Sequence, residues 1–206
     1  MKYDLLIFPY SGNGLEALDC LDDKYRLIGF IDDDRRKQGI QTNGFKVFSR
    51  EAFEKYPKAK VLALPSSPSA FINIKKIISE LKIEPKRFIT LIHPKAHISK
   101  LAIIGINVVI LAGTVITSNA NIGNHVWIAA NSIIHHDVVI KDYSTIGSSV
   151  LIAGRVKIEE NCFIGSGSNI INDVVIGKKT LVGLGSNVIC SIPRFSKVAG
   201  NPAKPI

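Results

Sequence analysis

Two adjacent residues near the middle of the chain could do acid–base chemistry as a pair: His136 and Asp137, within Ile134-His135-His136-Asp137-Val138. A neutral imidazole can take the proton from an attacking amine or hydroxyl. A neighbouring carboxylate can orient the ring and stabilise its charged form. Adjacency alone does not make the two side chains meet, and a His-His-Asp run is also ordinary solvated decoration. His135 ranks second as a base. The remaining histidines are His93, His97 and His125. A zinc hydratase would need three ligands converging on an open position. Neither His125 nor His136 finds an evident third partner by spacing, so no metal is expected.

A second candidate lies near the start, in Pro9-Tyr10-Ser11-Gly12-Asn13-Gly14, after an apolar run. Glycines where a strand turns into a helix let the backbone approach a phosphate, and the helix start favours negative charge. About 20 residues on come Asp32-Asp33-Asp34, where acids can meet ribose hydroxyls or a base edge. Only Gly12-x-Gly14 of the full dinucleotide fingerprint is present, so a tight turn followed by an acidic loop is an equal reading of these residues alone.

Elements must hold these groups, and the two halves of the chain have different periods. In residues 1–92, the runs 4–8, 27–31, 60–64 and 88–92 suit buried parallel strands. Helical patterns lie between them, one from Gly14 to Leu21 and one from Ser69 to Leu81. Such alternation predicts a small Rossmann-like α/β domain with a parallel sheet. His93-Pro94 begins the transition, and residues 93–206 form the second domain.

From Ile104 to Val188, fifteen positions six residues apart are all Ile or Val, with no slip. A second column, two residues before each, holds only small or β-branched residues and Cys162. This six-residue period is the signature of a parallel β-helix, in which three units close one triangular turn. Both columns should point inward, with Cys162 in the core. Glycine often follows the aliphatic (Gly105, Gly123, Gly147, Gly165, Gly177, Gly183), where it should ease the corner.

An α/β domain followed by a hexapeptide coil resembles the sialic acid O-acetyltransferase and PglD-like sugar acyltransferase family across nearly the whole chain. The resemblance implies a left-handed coil and a homotrimer. It implies nucleotide-sugar contacts from Ser11, Gly12, Asn13, Gly14, Asp32, Asp33 and Ser66. His136-Asp137-Val138-Val139-Ile140 matches the family's His-Asp/Glu pattern and makes His136 the base and Asp137 its partner, while Thr145 replaces a downstream histidine of some members. By position, Gly154, Ser166, Gly183 and Gly185 fall where acetyl-coenzyme A passes in an outer groove between subunits. Gly200-Asn201-Pro202-Ala203-Lys204 matches the family's ending, with Lys204 near a coenzyme phosphate. The implied activity is acetyl transfer from acetyl-CoA to the amino group of a nucleotide-linked sugar, a 4-amino sugar of bacterial surface glycan synthesis, carried on UDP or dTDP in preference to GDP. Transfer to a sugar hydroxyl and a non-catalytic binding scaffold are the alternatives.

Composition is consistent with this. The net charge of +9 divides into +4 before residue 93 and +5 after it, without the clustered stripe of a nucleic-acid binder. It suits anionic small molecules. No apolar run is long enough to span a membrane. The opening MKYDLLIF reads as a first strand rather than a secretory signal, and three cysteines without motif spacing point to a reducing, cytoplasmic setting.

Overall fold

In the computed structural model, which describes residues 2–41, 43–65 and 67–206, the first apolar run lies inside a five-stranded sheet. Strand β1 (Tyr3–Phe8) lies between β2 (Tyr25–Ile31) and β5 (Lys60–Ala63), parallel to both. A short β3 (Gly39–Ile40) and β4 (Lys46–Phe48) complete the order β3-β4-β2-β1-β5. Strand β4 runs parallel to β2, and β3 antiparallel to β4. The run Leu5-Leu6-Ile7 is continuous rather than alternating because both faces of the sheet are covered. Leu5, Ile7, Phe30 and Leu62 pack towards the coil, whereas Leu6, Ile31 and Val61 pack under Phe53, Phe71, Ile74 and Ile78.

Three local expectations need correction. The run 88–92 is not a full strand of this sheet. Phe88 makes a single bridge to Val61, and Leu91–Ile92 already pairs with Val109–Ile110 of the coil. The helix expected from Gly14 to Leu21 is a five-residue α1 (Gly12–Glu16) followed by a 3-10 turn, Ala17–Cys20. The helix expected from Ser69 begins as a 3-10 turn, Phe71–Asn73, before an α-helix at Ile74–Glu80.

The second half is a parallel β-helix of two-residue rungs. Each rung pairs with the one eighteen residues on, as in Trp127↔Thr145 and Ile128↔Ile146. Face 1 carries Leu91, Val109, Trp127, Thr145, Phe163 and Leu181 outward. Face 2 carries Val115, Ile133, Leu151 and Asn169, and face 3 carries Ile103, Asn121, Val139, Lys157 and Val175. The aliphatic column is buried from Ile110 to Val188, and so is the small column from Val108 to Ser186. Buried hydroxyls in the small column donate across the turn, Ser132 to the Gly147 carbonyl (2.8 Å) and Ser144 to the Glu159 carbonyl (3.0 Å). This satisfies polar groups that would be costly to bury alone. Cys162 does the same towards Gly177, and burial pushes its thiol up to about 12.

The corner residue is not the glycine after the aliphatic. Left-handed backbone falls three residues after each aliphatic, at Asn107, Gly113, Asn119, His125, Asn131, Asp137, Tyr143, Ser149 and onward to Gly185. Glycine after the aliphatic serves close approach between turns. A Cβ on Gly147 would lie 2.5 Å from the Ser166 backbone nitrogen.

Face 1 is where the two halves join. Val109, Leu111, Trp127 and Ala129 share one core with Leu5, Ile7 and Phe30. Two corner asparagines clamp the joint. Asn107 pairs through its amide with both the nitrogen and the oxygen of Ala63 (2.8 and 2.6 Å), and Asn161 donates to the Phe71 carbonyl (2.9 Å).

Candidate functional site

His136 and Asp137 occupy the corner between faces 2 and 3, where the chain leaves Ile134 and before it enters Val139. Asp137 has φ +60°, a conformation Asp tolerates better than most residues. This bend turns the Asp137 carboxylate back onto the preceding ring, with His136 Nδ1 2.8 Å from Asp137 Oδ2. The other carboxylate oxygen accepts from Asn119 Nδ2 at 3.0 Å. These two bonds, with the charge of Arg155, hold the Asp137 carboxyl below its usual range. An ionised Asp137 makes Nδ1 the donor and leaves the Nε2 lone pair to accept a proton. Both side chains are about half exposed, so the ring is open to a substrate. Gly154, one turn on, lies under the imidazole: a Cβ there would sit 2.7 Å from Nε2. His135 is partly buried on the face 2 side of the corner.

The other residues expected around acetyl-CoA lie elsewhere. Ser166, Gly183 and Gly185 belong to the edge between faces 1 and 2. Ser166 Oγ accepts from Ser148 N (3.0 Å), and Gly185 is a left-handed corner with open space beside it. A Cβ on Gly183 would meet Ala199, so this glycine packs the C-terminal strand. Lys204 lies exposed on a short antiparallel strand against Val198–Ala199.

The first turn of the sheet reaches the same edge. Asn13, Glu16, Ser67 and Pro68 face Trp127, Thr145, Ser148, Phe163 and Ser166 across a cleft of about 350 Å³. Ser11 caps α1, accepting from Gly14 N. Gly12 is open, whereas Gly14 is buried, and a Cβ there would be 2.8 Å from the Pro9 carbonyl oxygen. Ser66 lies outside the described residues. Asp32 is buried, bonded to Lys37 Nζ (2.9 Å) and to the Asp34 nitrogen (2.9 Å). Asp33 forms a two-point pair with Arg50. Both acids line a separate hollow with Arg35, Gln38 and Ser49. Lys37 links it to the first turn by donating to the Tyr10 carbonyl (3.2 Å).

Thus one chain joins Gly154 with His136 and Asn13 with Ser166, but the full width of face 2 separates the two groups. The sequence reading missed Asn119, Arg155, Asp173 and Lys37. The first three are legible in hindsight, because they stand eighteen, or twice eighteen, residues from Asp137. Among the described residues no three His, Cys, Asp or Glu side chains cluster as metal ligands, and no helix is long and apolar enough to cross a membrane.

Residues 119–154, which include the His136 corner, match the family described as bacterial transferase hexapeptide (six repeats). No curated protein sequence matches the chain. The acetyltransferase domain of PglB from Neisseria gonorrhoeae is 26% identical with a TM-score of 0.84, each chain covered in full. That domain has also been solved in complex with acetyl coenzyme A. WeeI from Acinetobacter baumannii is likewise 26% identical, with a TM-score of 0.83 and full coverage of both chains. The perosamine N-acetyltransferase of Caulobacter crescentus, solved as a His-to-Asn mutant with CoA and GDP-perosamine, shares the fold at 20% identity. Its TM-score is 0.86, over 100% of this chain and 97% of that one. The architecture of this chain is therefore that of an α/β domain joined to a hexapeptide-repeat β-helix, shared with these three solved structures.

Proposed function

We propose that this chain is an acetyl-CoA-dependent N-acetyltransferase acting on the amino group of a nucleotide-linked sugar, with His136 as general base. The observation that carries the chemistry is the His136–Asp137 pair, held at 2.8 Å on an exposed corner with Nε2 free to accept. The amine nitrogen attacks the thioester carbonyl carbon and Nε2 takes the proton it loses. The C–S bond then breaks, and the departing sulfur takes that proton to leave as the free thiol. Asp137 stabilises the imidazolium between the two transfers. Buried Cys20 and Cys162, with thiols pushed up to about 11 and about 12, offer no competing nucleophile.

In this reading residues 1–92 carry the nucleotide and residues 93–206 carry acetyl transfer. The acceptor is a 4-amino sugar of bacterial surface glycan, linked to UDP or dTDP. The Caulobacter neighbour supports a nucleotide-linked amino sugar as the class, and the gonococcal domain supports acetyl-CoA as donor. The active unit is a trimer. Face 2 separates His136 from the Asn13–Ser166 cleft within one chain, so His136 of one copy completes the cleft of its neighbour. Faces 2 and 3 also leave Ile103, Ile133 and Val175 exposed outward, apolar area that packing between copies would bury. The test is a screen of UDP-, dTDP- and GDP-linked amino sugars with acetyl-CoA, following thiol release, with light scattering for the trimer. Thiol release with an amino sugar but not its hydroxyl counterpart is the expected result. A fully active monomer would overturn the shared site.

A further inference from the structure

The corner that bears Asp137 is a column of charged and amide side chains, one per turn: Asn119, Asp137, Arg155 and Asp173. Successive turns of a parallel coil are about 4.8 Å apart, so each member has two possible partners, one above and one below. The Asp137 carboxylate looks up, to Asn119 Nδ2 at 3.0 Å, and sideways, to His136 Nδ1 at 2.8 Å. Arg155 looks down. Its Nε and Nη2 donate to the two oxygens of Asp173 at 2.6 and 2.8 Å. The side chain of Asn172 also donates to Asp173 and helps fix it. Arg155 is thus a full positive charge one turn from the carboxylate that must serve His136, and it is turned the other way.

A guanidinium binds a carboxylate at two points, more strongly than one amide hydrogen and one imidazole hydrogen can together. Left without Asp173, Arg155 could swing up and take both oxygens of Asp137. The ring would then lose its partner and with it the fixed tautomer. The backbone does not oppose the swing, because the Arg155 N–H is held by the His136 carbonyl whichever way its side chain points.

We propose that Asp173 and Asn119 are positioning residues that keep the Asp137 carboxylate on His136 by opposite means. Asn119 holds it from the turn above. Asp173 occupies Arg155, the cation that would draw it away from the turn below. This rests on the acid–base reading of His136 and adds to it a reason for an acid two turns from Nε2.

The test is a cycle. Asp173→Asn should lower kcat about fivefold with KM for both substrates unchanged, a modest loss because the pairs are half exposed and screened. Adding Arg155→Gln should restore kcat to within about twofold, because the competing cation is gone. Asn119→Ala should lower kcat to a similar degree, and adding Arg155→Gln should not restore it as fully, because the bond from the turn above is still missing. Nitrogen-15 spectra of the His136 ring give a readout independent of turnover: Nδ1 protonated in the parent and in the double variant, a mixed tautomer in Asp173→Asn. A wild-type kcat and ring spectrum in Asp173→Asn overturns the proposal. So does a loss that Arg155→Gln does not restore, which would mark Asp173 as a structural part of the corner. The underlying reading fails separately, if His136→Ala keeps full turnover.

Discussion

The imidazole of His136 rests over Gly154, one turn of the coil away, so closely that a Cβ there would lie 2.6 Å from Cε1 and 2.7 Å from Nε2. The obstacle is a side chain, which can move. Gly147 has the same kind of contact with backbone, 2.5 Å from Ser166 N, which cannot move without spreading two turns. One substitution should therefore have opposite effects at the two sites. Gly154→Ala should keep the melting temperature within a degree or two and lower kcat about 10- to 100-fold by pushing the ring off its position. Gly147→Ala should cost about 1–3 kcal/mol of stability. Calorimetry and steady-state kinetics on both variants check the contrast, and a normal kcat in Gly154→Ala would mean that the ring position does not matter.

His136→Ala should leave the fold intact, since the residue is half exposed and outside both buried columns. A general base is worth roughly 10²–10⁴-fold, and kcat should fall by that much with substrate binding kept. Asp137→Asn should have an intermediate effect. Its carboxyl is held below the usual range by His136, Asn119 and Arg155, so the acid is ionised across the working pH range and the variant removes a true negative charge. His135→Ala should cost little. Turnover lost in His135→Ala and kept in His136→Ala would show that the neighbour is the base.

The coil was legible because its period comes from geometry: fifteen stacked aliphatics leave no other way to bury themselves. The His136–Asp137 pair was legible as a motif, but its bond was not, because it depends on the left-handed backbone at Asp137. That backbone was misread as the task of glycines such as Gly147, which in fact relieve crowding between turns. Residues 88–92 were misread because Phe88 and Leu91 are apolar for different neighbours, the sheet for one and the coil for the other. The partners of Asp32 and Asp33, Lys37 and Arg50, are set by tertiary packing that no local spacing records.

Asp32→Ala should weaken nucleotide-sugar binding about tenfold and leave acetyl-CoA binding unchanged. Asp32 anchors Lys37, whose ammonium also holds the Tyr10 carbonyl at the start of the first turn. Removing the acid frees both the lysine and the Asp34 backbone nitrogen, and the crevice loses its shape. Titration calorimetry with each ligand separately would decide it. The reverse pattern, weaker coenzyme and unchanged sugar nucleotide, would move the nucleotide out of this domain.

The remaining prediction concerns stability against pH and follows from His125. This ring stacks on Tyr143 (4.9 Å, 4° between planes) and meets the edge of Phe88, far from His136 on the corner between faces 3 and 1. Asn107 dictates its tautomer. The amide oxygen of Asn107 accepts from Ala63 N, and one amide hydrogen goes to the Ala63 carbonyl. The other hydrogen therefore points at His125 Nδ1, 3.0 Å away. Nδ1 must accept, so the ring is neutral, and a proton on Nδ1 would face the Asn107 hydrogen. Burial pushes the ring down to about 4, with Asp142 offsetting part of the effect. An unfolded histidine titrates near 6.5. The unfolded chain thus takes up a proton between about pH 6.5 and 4 that the folded chain refuses, and stability falls as pH drops through that window. By pH 5 the loss should be about 1–2 kcal/mol, allowing for partial exposure of the ring. His125→Asn suits the positive φ, has nothing to titrate, and should flatten this part of the curve while lowering stability at pH 7 through the lost stacking. Urea unfolding of both proteins at pH 7 and pH 5 measures the difference. Equal slopes would mean that His125 is protonated in the folded state, and that the Asn107–Ala63 clamp joining sheet to coil tolerates a charge beside it.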